Sequence, residues 1–190
     1  MMRRIAAFAA CLAAAGAFAA DGLDVIPAPA SVARHEGAFP LSAGTSIVVP
    51  PSQDAAGAVA PILAGYIERA NGLKLPIRAG AARDGAINLR LDESLAGRGP
   101  EAYRVEVTPR RITLAAPTRE GLVHAATTLW QMIPARREAR LAVPSALIED
   151  APRFAWRGMM LDSARHFQEP AFIPSRRKKK FGFGSGGPQV

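Results

Sequence analysis

One cysteine, Cys11, and three histidines are all that the 190 residues offer of the usual metal-binding and thiol chemistry. Cys11 falls inside a short apolar segment at the N-terminus that reads as a removable leader. The remainder then has no thiol, no disulfide and no cysteine-based metal site. His35, His124 and His166 are far apart, without a His-Glu-x-x-His pattern or a Cys/His cluster, and no Ser/His/Asp arrangement resembles a nucleophile elbow. No metal and no cofactor are therefore expected. A lack of cysteine is compatible with an oxidising compartment without requiring one.

Acidic charge is also scarce overall, at 16 Asp and Glu against 24 Lys and Arg. That excess lies at the ends. Arg3 and Arg4 belong to the leader, and Arg176 to Lys180 form a basic run in the tail, so residues 20–173 hold 17 basic and 16 acidic groups. A nearly neutral body argues against a nucleic-acid partner, whose binding rests on a concentrated positive face. The hydrophobic fraction of 49% and charged fraction of 21% are those of a globular chain.

Met1 to Arg4 is a basic start, Ile5 to Ala15 an apolar run, and Ala17-Phe18-Ala19 a small-x-small cleavage site. Residues 1–19 are read as a signal peptide, cut after Ala19, and the product as secreted or periplasmic. The run is too short and alanine-rich for a membrane span, which takes about 20 strongly apolar residues. Acylation at Cys11 would leave only Ile5 to Ala10 as the apolar region.

Further along, Pro27 and Pro29 hold the chain extended. Strand-like pieces follow at Ser31–His35 and Thr45–Val49, and Pro50-Pro51 stops the second. Val59, Ile62, Leu63, Tyr66, Ile67 and Ala70 recur at helical spacing, predicting a helix over Asp54–Ala70, capped by Ser52 or Asp54 and ended by Asn71-Gly72. Pro61 inside it predicts a kink or a later start. Leu73–Arg78 and Ala86–Leu91 are strand candidates. Ala102–Thr108 and Arg111–Ala115 alternate and are joined at Pro109-Arg110 as a hairpin. Thr118 is placed to cap a second helix running to about Met132, with an apolar stripe through Leu122, Ala125, Ala126 and Leu129. Leu141–Ile148 is one more strand-like stretch. These elements predict an α/β fold: a small mixed sheet of five or six strands with two helices on one face.

A different pattern begins at Ile148. Ile148-Glu149-Asp150-Ala151-Pro152-Arg153-Phe154-Ala155-Trp156-Arg157-Gly158-Met159-Met160-Leu161-Asp162-Ser163-Ala164-Arg165-His166-Phe167 resembles the entry to the catalytic barrel of family 20 β-N-acetylhexosaminidases, which reads I-x-D-x-P-R-F-x-x-R-G-x-x-L-D-x-[SA]-R-H-[FY]. Upstream, Ile26-Pro27-x-Pro29, Glu120-Gly121-Leu122 and Thr128-Leu129-x-Gln131 are similar to that family's small non-catalytic α/β domain. The resemblance implies that residues 20–150 form this domain and that residues 151–173 begin a (β/α)8 barrel, with Phe154–Asp162 as its first strand. It implies action on terminal β-linked N-acetylhexosamine in glycans, by a retaining mechanism in which the sugar's own acetamido oxygen attacks the anomeric carbon. The matching arginine, Arg157, is the implied substrate-binding residue, because a planar guanidinium donates paired hydrogen bonds to sugar hydroxyls. From the residues alone, a salt bridge between Arg157 and Asp162 is the competing role. Asp162, Arg165 and His166 are assigned structural roles.

The family's Asp–Glu catalytic pair lies further along than this sequence reaches. Residues 174–190 are a basic, Gly-rich tail unlike the family, expected from a shifted frame or a truncated gene. A barrel takes about 250 residues, and 38 follow Pro152. The chain is thus expected to be inactive alone. A non-enzymatic carbohydrate-binding module is the alternative. Gly182-x-Gly184-x-x-Gly187 spells a dinucleotide fingerprint but follows no strand and opens no helix, so it is accidental.

Overall fold

The computed structural model describes Leu23 and residues 25–158. The signal peptide, the tail, Asp162, Arg165 and His166 lie outside them. One compact unit ends at Pro152, and a second begins at Arg153.

Among the described residues, the first unit holds a seven-stranded sheet, two α-helices and a short 3-10 helix at Glu93–Arg98. The strands are β1 (Ser31–Ser42), β2 (Ser46–Val49), β3 (Ile77–Ala79), β4 (Ala86–Leu91), β5 (Tyr103–Val107), β6 (Ile112–Ala116) and β7 (Arg140–Asp150). Helix α1 spans Asp54–Asn71 and α2 spans Arg119–Met132. In space the strands run β1-β7-β5-β6-β4-β2-β3. Half of the sheet is antiparallel and half parallel, for reasons of connection length. Four residues link β5 to β6 as a hairpin, so that pair is antiparallel. Parallel neighbours need a crossover, and α1 supplies it between β2 and β3. Helix α2 does the same over β5: β6 and β7 flank that strand, both antiparallel to it, and so run in one direction.

Both helices lie on one face of the sheet and touch each other. Val59, Leu63 and Ile67 of α1, with Leu122, Ala125 and Leu129 of α2, are wholly buried against Ile47, Ile87, Leu89, Leu114 and Val105. Each large aliphatic side chain buried there contributes about 1.5–3 kcal/mol relative to exposure. Gly121 sets the closeness of α2: a Cβ there would lie 2.6 Å from the Ala102 carbonyl oxygen and 2.8 Å from the Ala116 Cβ.

Thr118 caps α2 as its spacing suggests, its hydroxyl accepting from the Gly121 amide at 3.3 Å. The start of α1 differs from expectation. Its cap position is Gln53, which makes no side-chain cap bond, and neither Ser52 nor Asp54 serves. The Gln53 amide oxygen instead accepts from the Leu91 N–H at 2.7 Å, tying α1 to the end of β4. The helix runs on through Pro61, whose ring is exposed. At the far end Gly72 adopts φ 76° and its N–H closes on the Glu68 carbonyl at 2.8 Å.

The strand expected at Leu73–Arg78 is shorter and later. Leu73 and Leu75 are buried in the core as an irregular segment, and pairing with β2 covers only Ile77–Ala79. β1 is longer than expected. It contains a bulge in which His35, Glu36 and Gly37 oppose the single residue Ser145. The bulge falls beside Pro144, which has no N–H to offer the ladder. With β7 counted, the sheet has seven strands rather than five or six.

In the second unit, residues 153–158 carry no strand, contrary to the expectation of a buried barrel strand from Phe154. Phe154 and Trp156 are 71% and 86% exposed. An apolar run becomes a buried strand only when both faces are covered. The rest of that run, residues 159–162, lies outside the described residues.

Candidate functional site

A cluster of polar groups in the first unit sits where β7 ends. Tyr103, the first residue of β5, pairs with Asp150, the last of β7. Its ring is buried, and its hydroxyl lies 2.8 Å from the Thr128 hydroxyl on α2 and donates to the Asp150 carboxylate at 3.0 Å. The other Asp150 oxygen accepts from the Ala30 N–H at 3.0 Å, just before β1. Four residues earlier, the Ile26 N–H donates to the Gln131 side chain of α2 at 2.8 Å, beside the cis Ile26–Pro27 bond. The segment entering β1 is thus held twice. Burial raises the Tyr103 phenol well above its ordinary value, and the Asp150 charge adds to the effect while the Thr128 bond opposes it. Tyr103 is a neutral donor at any physiological pH.

Neighbouring groups are also engaged. Glu149 points to the opposite face from Asp150, because side chains alternate along a strand. It takes Arg104 on one oxygen (2.7 Å from Nε) and Arg98 on the other (2.9 Å). His124, on α2, lies 2.7 Å from the Glu101 carboxylate. Asp92 accepts from the Ser94 hydroxyl at 2.6 Å and pairs with Arg90 at 2.7 Å. The Ser94 bond and the Arg90 charge hold its carboxyl below the usual range. Each of these carboxylates is satisfied by the protein's own donors, an arrangement suited to fixing backbone rather than to moving protons. Among the described residues no three His, Cys, Asp or Glu side chains come together as a metal site. An open depression at the start of α1, lined by Pro50, Pro51, Gln53, Asp54, Gly57 and Arg78, brings together only one acid and one base.

Arg157, the residue expected to bind substrate, belongs to the second unit. Its guanidinium donates to the Phe154 carbonyl at 2.7 Å within the same short segment. His124, far from the other histidines in the sequence, is engaged by its pair with Glu101. His35 sits exposed in the β1 bulge. Sequence reading does not single out Tyr103 and Asp150 as a site: Tyr103 falls within the alternating stretch Ala102–Thr108, and Asp150 within the pattern that begins at Ile148. The available signal was an aspartate ending an apolar strand, where only a buried donor makes it tolerable.

Taken together, these features define a small α/β domain whose polar groups brace its own chain where β7 ends. The family model described as "Glycosyl hydrolase family 20, domain 2" matches residues 22–151. The β-N-acetylhexosaminidase of Cellulomonas fimi is 37% identical over 145 residues, covering 75% of this chain and 29% of that protein. The β-hexosaminidase of Vibrio furnissii is also 37% identical over 145 residues, covering 76% and 22%. Among solved structures, the family 20 β-N-acetylhexosaminidase of Streptomyces coelicolor superposes with a TM-score of 0.68 at 36% identity, covering 77% of this chain and 30% of that one. The chain belongs to glycosyl hydrolase family 20, and it spans less than a third of the length of these relatives.

Proposed function

We propose that this chain is the N-terminal part of an exported β-N-acetylhexosaminidase that removes terminal β-linked N-acetylhexosamine from glycans. The observation that carries this is the uninterrupted barrel-entry pattern from Ile148 to Phe167, following directly on a domain of the same family. The two are expected together only in such an enzyme.

In this reading the first unit presents the chain to the barrel, and Arg157 donates paired hydrogen bonds to hydroxyls of the terminal sugar. The acetamido oxygen of that sugar is the nucleophile. A later Asp orients it, and a later Glu protonates the departing oxygen. Residues 20–190 supply neither. In the intact enzyme this segment would contribute Arg157 to sugar binding, and turnover is assigned to the later pair. The basic start, apolar run and Ala17-x-Ala19 site support export, and among the described residues no helix is long and apolar enough to cross a membrane.

The test is direct: the purified 190-residue chain is incubated with a chromogenic β-N-acetylglucosaminide. No hydrolysis above background is expected. Turnover that persists through repurification would contradict the assignment of catalysis to later residues. N-terminal sequencing of the exported product should begin at Ala20, and a retained Met1 would remove export from the proposal.

A further inference from the structure

Beyond any role in glycan hydrolysis, we propose that the loop between α2 and β7 is a processing site, at which an arginine-specific endoprotease cleaves after Arg137 without dispersing the fold. Residues 135–140 are all exposed, and residues 136–138 carry no regular structure. Exposed loops of this kind are where nicking concentrates, provided the backbone can be drawn into an extended form.

Hydrogen bonding picks the bond. A protease must take hold of the carbonyl on the acyl side of the bond it cuts, and several exposed arginines have theirs engaged. The Arg83 carbonyl accepts from the Asn88 amide at 3.0 Å. In the other dibasic pair, the Arg110 carbonyl accepts from Gly85 N–H at 2.7 Å and the Arg111 carbonyl from Thr108 N–H at 2.9 Å. Both of those guanidinium groups also lean on Asp84. Within the loop itself, the buried Asn71 side chain donates to the Pro134 carbonyl at 2.8 Å and to the Arg136 carbonyl at 2.9 Å. The Arg136–Arg137 bond is thereby held against α1. The next bond is different: the Arg137 guanidinium makes one long bond, to the Arg69 carbonyl at 3.4 Å, and among the described residues neither the Arg137 carbonyl nor the Glu138 N–H takes part in a hydrogen bond. Two residues further, Arg140 is already in β7.

The flanking strand explains why the cut is tolerated. From Arg140 to Pro144, β7 pairs only with β1; exposed Arg140 can lift away, while Leu141 and Val143 are buried in the core and hold the rest of the strand in place. From Ala146 it lies between β1 and β5, with Ala146 and Ile148 wholly buried. Water adds across the Arg137–Glu138 peptide bond, leaving a carboxylate on Arg137 and an amino group on Glu138. The piece that follows remains as a central strand of the sheet.

The experiment uses the full chain and trypsin under native conditions, with fragment masses read at short times. Within residues 25–150, the first cut is expected after Arg137, and the two pieces should co-elute in native buffer and part in denaturant. Arg137→Gln should lose this fragment pair. Asn71→Ala, which frees the Arg136 carbonyl, should add a cut after Arg136. A first cut after Arg83, Arg110 or Arg111, or pieces that separate in native buffer, would overturn the proposal.

Discussion

The Tyr103 hydroxyl and the Asp150 carboxylate meet at 3.0 Å, joining the first residue of β5 to the last of β7 across 47 positions of sequence. Through the same two side chains the bond reaches α2 at Thr128 and the entrance of β1 at Ala30. Four elements are fixed at the point where the chain leaves the domain.

Tyr103→Phe keeps the ring in the core and removes this junction, leaving the buried Thr128 hydroxyl and Asp150 without their shared partner. A loss of about 1–3 kcal/mol in unfolding free energy is expected by denaturant titration. The pH dependence separates the hydroxyl from general packing. Because the folded phenol titrates above its ordinary value of 10.0, its contribution is intact below pH 10 and is lost as pH rises beyond it. The gap between wild type and Tyr103→Phe should therefore narrow above pH 10. A constant gap would mean that the hydroxyl does not carry the effect.

Two helical glycines should respond in opposite directions to alanine. At Gly121 the added methyl meets the backbone oxygen of Ala102 and the Ala116 side chain, so α2 must move off the sheet, at about 1–3 kcal/mol. At Gly57 it meets nothing within 4 Å, and the gain in helix propensity should stabilise by about 0.5–1 kcal/mol. Thermal melting of both variants decides; equal and same-signed shifts would contradict the close packing at Gly121.

Asp92 should give an acid-side signature. Its carboxyl titrates below the ordinary 3.8, first through the Ser94 hydroxyl and also through Arg90. The stabilisation is therefore present above pH 4 and disappears as pH falls through the lowered value. Asp92→Asn should cost stability at pH 6 and become indistinguishable from wild type near pH 2, measured by denaturant midpoints across that range.

Much of this fold is legible in the sequence because local pattern and tertiary demand agree. The stripe from Leu122 to Leu129 and the Thr118 cap place α2 almost to the residue, and the alternation around Pro109-Arg110 gives the β5–β6 hairpin. The failures are positions where a distant partner decides. Gln53 leaves the α1 cap unmade because the Leu91 N–H needs it. Leu73 and Leu75 alternate like a strand but are buried without pairing, since β2 meets the chain only from Ile77. The bulge opposite Ser145 has no local periodicity to announce it. The Tyr103–Asp150 junction was hidden for the same reason, whereas Arg157 stood out only through its surrounding motif.

The most direct measurement grafts residues 25–158 onto the Cellulomonas fimi β-N-acetylhexosaminidase in place of the matching segment and follows hydrolysis of a chromogenic β-N-acetylglucosaminide. A folded, active chimera is expected, and Arg157→Ala within it should lower kcat/KM by about two orders of magnitude, the loss of two hydrogen bonds from a charged donor. A folded chimera whose kcat/KM is unchanged by Arg157→Ala would contradict the assignment of Arg157 to the substrate. One that folds yet shows no turnover would contradict the proposal that this segment belongs to such an enzyme.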